Sequence, residues 1–296
     1  MTAALLPLQA LSDQLADLVE QASAFVVSVD GRHGRAASGF ALAPDLVVTA
    51  DHVLEREDHI RIRIGDRRLD AEIAGRDPGT DVAVLRVNGL GGSAPPRSDS
   101  VRPGQLVIAV SRTPTAATPA AGLGVIAAIG GPVRTGRGVQ LRQVFRTNAS
   151  TYPGASGGAI VDASGRVIGM STSGLLRGLP VVIPSQQLWE IATPLSTGTT
   201  VKRAYLGVGV QPTRFPRTGP DGVEGGLLVS ALTPDGAADK GGLLVGDVIV
   251  AIDGARLRHA DDLQDRLAAL EAGRTVTLGL IRGGAARDLT VATGSR

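Results

Sequence analysis

The sequence predicts a mostly β protein: two similar sets of short strands in tandem, then a smaller module of mixed α and β structure. Three observations carry this expectation. The chain holds 40 Gly and 17 Pro among 296 residues, more than helical architecture accommodates and what a fold of many turns requires. Between about residues 24 and 184, apolar runs of strand length recur between turn signals in two series, split by a loop rich in Gly, Pro and Ser at 88–104. Beyond residue 204, strand-like runs alternate with segments of helical period, and the chain length is itself that of two domains of ordinary size.

Taken in order, Leu8, Leu11, Leu15, Leu18 and Val19 recur at spacings of three and four among Ser12, Asp13, Asp17 and Glu20, the pattern of an amphipathic helix over 8–22 whose apolar stripe packs on the body or on a neighbouring subunit. The first strand series reads AFVVSV, ASGFALA, LVVTA, IRIRI and DVAVLRV, with DGRHGR and RDPGT as turns. The second reads QLVIAV, GLGVIAAI, VQLRQVFRT, GGAIVD, RVIGMST and PVVIP. Such regular short strands form barrels or sandwiches. SQQLWEIATPL reads as a short helix and STGTTVKRA as a polar linker. The last module runs strand (YLGVGVQ), strand (GLLVSAL), short helix (DGAADKGG), strand (DVIVAIDG), helix (HADDLQDRLAALEAG) and two strands (TVTLGLIRGG, RDLTVAT).

Thirty basic against 28 acidic residues, without a Lys/Arg block or an aromatic platform, argue against nucleic acid as a partner. Lys202 and Lys240 are the only lysines, so the basic isoelectric point reflects Arg usage. The absence of cysteine removes disulfides and thiolate chemistry and leaves the redox compartment open. Neither a signal-peptide pattern nor an 18-residue apolar stretch is visible, so the expectation is a soluble chain, cytoplasmic, or periplasmic if a leader has been removed.

The segment Gly154-Ala155-Ser156-Gly157-Gly158 carries the strongest chemical signal. Flanking glycines let the backbone turn sharply and aim amide N–H groups at a substrate carbonyl, beside a serine that needs a base to become nucleophilic. Of four histidines, His52 stands where an apolar strand meets a polar turn, whereas His33 falls in a hairpin loop, His59 in a charged stretch and His259 in the last module. Asp81 opens the apolar strand DVAVLRV, where a carboxylate can be shielded and orient an imidazole; Asp77 in the preceding turn is the weaker choice. The order His, Asp, Ser argues against the α/β-hydrolase elbow that Gly154, Ser156 and Gly158 also satisfy, because those enzymes place His last. Asp51, His52, Glu55, Glu57, Asp58 and His59 lack metal-ligand spacing and read as a solvated turn, so neither metal nor cofactor is expected.

TADHV, TDVAVL and YPGASGGAIVDASGRVIGM together resemble the three catalytic segments of the HtrA/Deg family of trypsin-like serine proteases. VVIPSQQL resembles the end of that protease domain, VKRAYLGVGVQ the opening of its PDZ domain and GAADKGGLLVGDVIVAIDG the PDZ core. The resemblance implies a chymotrypsin/trypsin-like double β-barrel over 23–195 after an N-terminal helix over 1–22, a linker at 196–203 and one α+β PDZ domain over 204–296. Residue by residue it makes His52 the general base, Asp81 its orienter, Ser156 the nucleophile, and the amides of Gly154 and Ser156 the oxyanion donors. Ser150 would stand near the floor of the pocket for the residue before the scissile bond; with no carboxylate there, small or medium aliphatic residues are expected. Tyr205, Leu206, Gly207 and Val208 look like the PDZ loop that holds a terminal carboxylate, while Leu263, Leu267 and Leu270 fit core as well as groove.

The implied activity is an ATP-independent endopeptidase acting on unfolded or damaged proteins, with C-terminal peptides of substrates or activators bound at the PDZ domain. The alternatives are a peptide-activated regulatory protease with one specific partner and a catalytically latent chaperone or binding protein. The resemblance also implies a homo-oligomer, a trimer in many relatives, although of the aromatic residues relatives use for it this chain offers Phe25 alone. Asp51 departs from the uncharged residue usual before the histidine and is expected to point outward.

Overall fold

The computed structural model describes residues 5–32, 37–112, 118–136, 138–176, 179–199, 201, 204–216 and 223–295; His33 lies outside them. The chain divides into two compact units, Met1–Val201 and Lys202–Arg296.

The first unit begins with helix α1 (Leu5–Ser23). Leu15, Leu18 and Val19 pack on the core of the body, while Leu8 and Leu11 stay exposed, so the C-terminal half of the stripe is the part covered. Six strands follow: β1 (Val26–Asp30), β2 (Ala37–Ala43), β3 (Leu46–Thr49), β4 (Ile60–Ile64), β5 (Arg67–Asp77) and β6 (Val82–Arg86). They close into an antiparallel barrel in the order β1-β2-β3-β6-β5-β4. Strands β2, β3 and β6 are apolar almost throughout because one face fills the barrel and the other is covered.

The second series gives β7 (Leu106–Ser111), β8 (Ala120–Gly130), a small ribbon of β9 (Val133–Arg134) and β10 (Gln140–Leu141), then β11 (Val144–Thr147), β12 (Ala159–Asp162), β13 (Val167–Leu176) and β14 (Leu179–Pro184). It closes as β11-β14-β13-β12-β7-β8. The run VQLRQVFRT therefore belongs to two strands, β10 and β11. Val107, Ile126, Phe145, Ile160, Ile168 and Val182 fill this barrel. Burying each such side chain contributes roughly 1.5–3 kcal/mol. Helix α2 (Ser185–Ser196) buries Leu188, Ala192 and Leu195, and Trp189 sets its ring 6.0 Å from that of Phe40 in β2.

In the second unit, β15 (Ala204–Tyr205) is followed by β16 (Val208–Pro216), β17 (Val223–Leu232), helix α3 (Ala237–Lys240), β18 (Val248–Ile252), β19 (Ala255–Arg256), helix α4 (Ala260–Ala268), β20 (Thr275–Arg282), β21 (Ala285–Ala292) and β22 (Gly294–Ser295). The main sheet runs β16-β17-β18-β20-β21, which leaves β16 at an edge, and β15 pairs with β22. Leu263 of α4 is core, with Leu267 and Leu270 packed against the same cluster.

Candidate active site

His52 lies in a single 3₁₀ turn, Asp51–Val53, directly after β3. Asp81 immediately precedes β6 and is nearly buried. It adopts a left-handed φ of 58°, which Asp tolerates better than most residues. The preceding turn is tied by Asp77, whose carboxylate accepts from the Gly79 N–H at 3.0 Å and whose carbonyl accepts from the Thr80 N–H at 3.2 Å. Asp77 thus shapes the turn, and Asp81 reaches the histidine. The His52 backbone N–H donates to Asp81 Oδ1 at 2.9 Å, and His52 Nδ1 stands 2.9 Å from Asp81 Oδ2. A carboxylate on Nδ1 fixes the tautomer with its hydrogen there and leaves Nε2 as the free base.

The expectation that Asp51 points outward is corrected. Asp51 is buried, and its Oδ1 accepts from Arg76 Nε at 2.6 Å. Arg76 comes from β5, so the acid beside His52 is neutralised by a strand 25 residues away in sequence and serves as a brace under the histidine turn. His59 is exposed, and His259 precedes α4, where the Asp262 carboxylate accepts the His259 N–H at 2.9 Å.

Ser156 lies in a loop between β11 and β12 built from two consecutive turns. The Ala155 N–H donates to the Tyr152 carbonyl at 2.9 Å, and the Gly158 N–H to the Ala155 carbonyl at 2.8 Å. The third residues of these turns, Gly154 and Gly157, have φ of 93° and 88°. Pro at the second place and a left-handed Gly at the third make Tyr152–Ala155 a type II turn, which Pro153-Gly154 favours through its own backbone preferences. Among the described residues, neither the Gly154 nor the Ser156 N–H is spent on a protein acceptor.

One stretch of β13 touches all three candidates. Thr172 Oγ1 donates a short hydrogen bond to Asp81 Oδ2. Ser173 Oγ lies 3.1 Å from Ser156 Oγ. A Cβ on Gly174 would fall 2.5 Å from both Asp81 Oδ2 and His52 Nδ1, so the backbone there lies against the His–Asp pair. The Ser156 hydroxyl rests on Ser173 rather than on His52 among the described residues. Nothing local in the sequence marks Thr172, Ser173 or Gly174; their position in β13, the second strand after the serine loop in an antiparallel barrel, is the signal that finds them.

Ser150 lines a narrow cleft with Thr151, Ala155, Gly158, Ser111 and Ser171, among others, and no carboxylate lines it. Its carbonyl packs on β8, where a Cβ at Gly122 would lie 2.1 Å away. In the second unit, Leu206 is buried and Gly207 takes a φ of 77°. The Thr233 N–H donates to the Gly207 carbonyl and the Ala238 N–H to the Leu206 carbonyl, each at 2.8 Å, so the loop Tyr205–Val208 is anchored on both sides as it enters the edge strand β16. Among the described residues no cluster of three or more His, Cys, Asp or Glu is gathered as a metal site requires. No described helix is long and apolar enough to cross a membrane.

Comparison with known proteins follows the same division. Residues 37–170 match the trypsin-like peptidase domain model and residues 204–293 the PDZ domain model. A probable periplasmic serine endoprotease, DegP-like, of Pseudomonas fluorescens is 32% identical over 274 residues, covering 87% of this chain and 56% of that protein. A protein of the same description from Marinomonas is 30% identical, covering 90% and 58%. The chain thus spans little more than half the length of these curated relatives. The crystal structure of the serine endoprotease from Yersinia pestis shares the fold, with a TM-score of 0.63 at 24% identity, covering 96% of this chain and 97% of that one. A variant of the HtrA-type protease AlgW, solved with a tripeptide, has a TM-score of 0.63 at 30% identity, covering 95% of this chain and 97% of that one. With two six-stranded barrels, a PDZ module and these relatives, the chain belongs to the HtrA/Deg family of trypsin-like serine proteases.

Proposed function

We propose that this protein is a serine endopeptidase in which Ser156 is the nucleophile, His52 the general base and Asp81 the group that orients it. The observation that supports this most is the convergence on Thr172–Gly174: the Ser156 hydroxyl meets that of Ser173, Thr172 bonds Asp81, and the backbone at Gly174 lies against the His52–Asp81 pair. In the reaction the Ser156 hydroxyl leaves Ser173 and turns to His52. Its proton passes to Nε2 as Oγ bonds to the substrate carbonyl carbon, and the oxyanion takes the free N–H groups of Gly154 and Ser156. Collapse breaks the C–N bond, with the proton from Nε2 going to the amine. Water, deprotonated by the same nitrogen, then cleaves the acyl ester.

The cleft beside Ser150 holds no anion to pair a cationic side chain, which favours small or medium aliphatic residues before the scissile bond. The PDZ unit takes C-terminal peptides by adding them as a strand to the edge of β16, their carboxylate at the loop Tyr205–Val208. Unfolded or damaged proteins are the substrates, and the periplasm, named for the relatives, is the compartment. Casein cleavage tests this: wild-type turnover that is abolished in Ser156→Ala, and that C-terminal hydrophobic peptides raise or leave unchanged, is expected. Casein left intact with and without such peptides overturns it.

A further inference from the structure

The serine loop is held by a residue of the other barrel. Ser38 lies in β2 and is wholly buried. Its backbone N–H donates to the Ser156 carbonyl at 3.0 Å, and its hydroxyl has two carbonyls within donating distance, that of Gly154 at 2.8 Å and that of Arg112 at 3.2 Å, with Gly154 the nearer acceptor for its one hydrogen. The same hydroxyl accepts from the Arg112 N–H at 3.0 Å, and the Ser38 carbonyl accepts from Thr49 Oγ1 at 2.7 Å. The fit is backbone against backbone: a Cβ at Gly157 would lie 2.0 Å from the Ser38 carbonyl oxygen. Arg112 is anchored in turn, its Nε donating to the Val26 carbonyl at 3.1 Å and its Nη2 to the Ser23 carbonyl at 3.2 Å.

The two carbonyls that Ser38 grips belong to the residues whose N–H groups are the oxyanion donors. Holding the peptide that follows residue 154 and the peptide that follows residue 156 restricts rotation about both residues, and so limits the directions in which their N–H groups can point.

We infer that Ser38 is a positioning residue for the oxyanion donors, its hydroxyl fixing Gly154 from across the barrel interface. This rests on the reading of Ser156 as nucleophile and adds a residue that acts through the loop without touching substrate. Ser38→Ala keeps the N–H bond to Ser156 and removes the hydroxyl's bonds to the Gly154 carbonyl and the Arg112 N–H. Losing a donor outright costs about 10²–10³-fold in turnover, so a misaimed one is expected to cost roughly 10–100-fold.

The experiment compares wild type with Ser38→Ala on a peptide amide substrate and measures binding of a peptide aldehyde ending in valinal, whose adduct carries the oxyanion. The expected result is a fall in kcat of roughly 10–100-fold with KM within about twofold. Aldehyde affinity should fall by the same factor as kcat/KM, and the pH midpoint of kcat/KM should stay in place. Ser185→Ala is the control, because its buried hydroxyl bonds the Ser98 carbonyl at 2.8 Å away from the serine loop; it should lower the melting temperature and leave kcat and aldehyde affinity unchanged. Unchanged aldehyde affinity in Ser38→Ala, or an equal loss in Ser185→Ala, overturns the inference. Should Ser38→Ala fail to fold, Ser38→Cys, which keeps the shape and weakens the donor, is read by the same criteria. A wild-type enzyme that forms no aldehyde adduct and turns over no substrate would sink the protease reading itself, a distinct outcome.

Discussion

A side chain at residue 174 would put its Cβ 2.5 Å from both His52 Nδ1 and Asp81 Oδ2, closer than carbon approaches either atom. Gly174→Ala therefore forces the imidazole or the carboxylate aside, and small misplacements of reacting groups are expensive. The expected outcome is a loss of about 10²-fold or more in kcat/KM on a peptide substrate, with the far-ultraviolet dichroism of the wild type retained. At this scale, the candidate triad was legible because each member sits in its own short pattern: a strand end for His52, an apolar strand start for Asp81, a glycine-flanked turn for Ser156. Their supports were not. Thr172 meets Asp81 across 91 residues and Ser38 meets Gly154 across 116, and no local pattern carries a pairing of that range. Asp51 was misread for the same reason, since its orientation depends on Arg76, which arrives only when β5 folds back beside the histidine turn.

Among the elements, the apolar strands of both barrels follow the sequence closely, whereas β5 escapes it. Its eleven residues, RRLDAEIAGRD, include charged side chains at positions that stay exposed, and its partners β4 and β6 hold it in the sheet through backbone pairing. The loop Tyr152–Ala155 is the opposite case, since Pro153 and Gly154 specify its type II turn locally. In the second unit, a tertiary pair fixes the turn before β18: Asp247 is buried and accepts from Arg282 Nε and Nη2, both at 2.7 Å. The hydrogen bonds from Arg282 hold the Asp247 carboxyl below the ordinary carboxylate range, with the Leu244 N–H adding to them and burial opposing. A carboxyl whose folded pKa is depressed contributes stability that is present above its unfolded value, near 4, and lost as pH falls through the folded one. Urea midpoints of the full chain should therefore fall for the second unit below about pH 4, and Asp247→Asn should lower the midpoint at neutral pH while flattening its acid dependence. An unchanged acid slope in Asp247→Asn would remove this pair from the explanation.

For the molecule as a whole, the organising feature is the contribution of both barrels to the proposed site. The first barrel brings His52, Asp81 and Ser38; the second brings the serine loop and the strand segment Thr172–Gly174. In the proposed reaction neither set is sufficient alone: the proposed base lacks a nucleophile, and the serine loop lacks both that base and the hydrogen bonds of Ser38 to its carbonyls. The tandem strand series made this architecture readable, but the faces brought together depend on barrel closure, which strand lengths and turns do not reveal. The most direct test of the central claim is to treat the full chain with a fluorophosphonate and locate the adduct by peptide mass spectrometry. The account predicts a single phosphonylated residue, Ser156, with labelling abolished in His52→Ala and slowed in Asp81→Asn. Labelling at another serine, or labelling of Ser156 at the wild-type rate without His52, would contradict it.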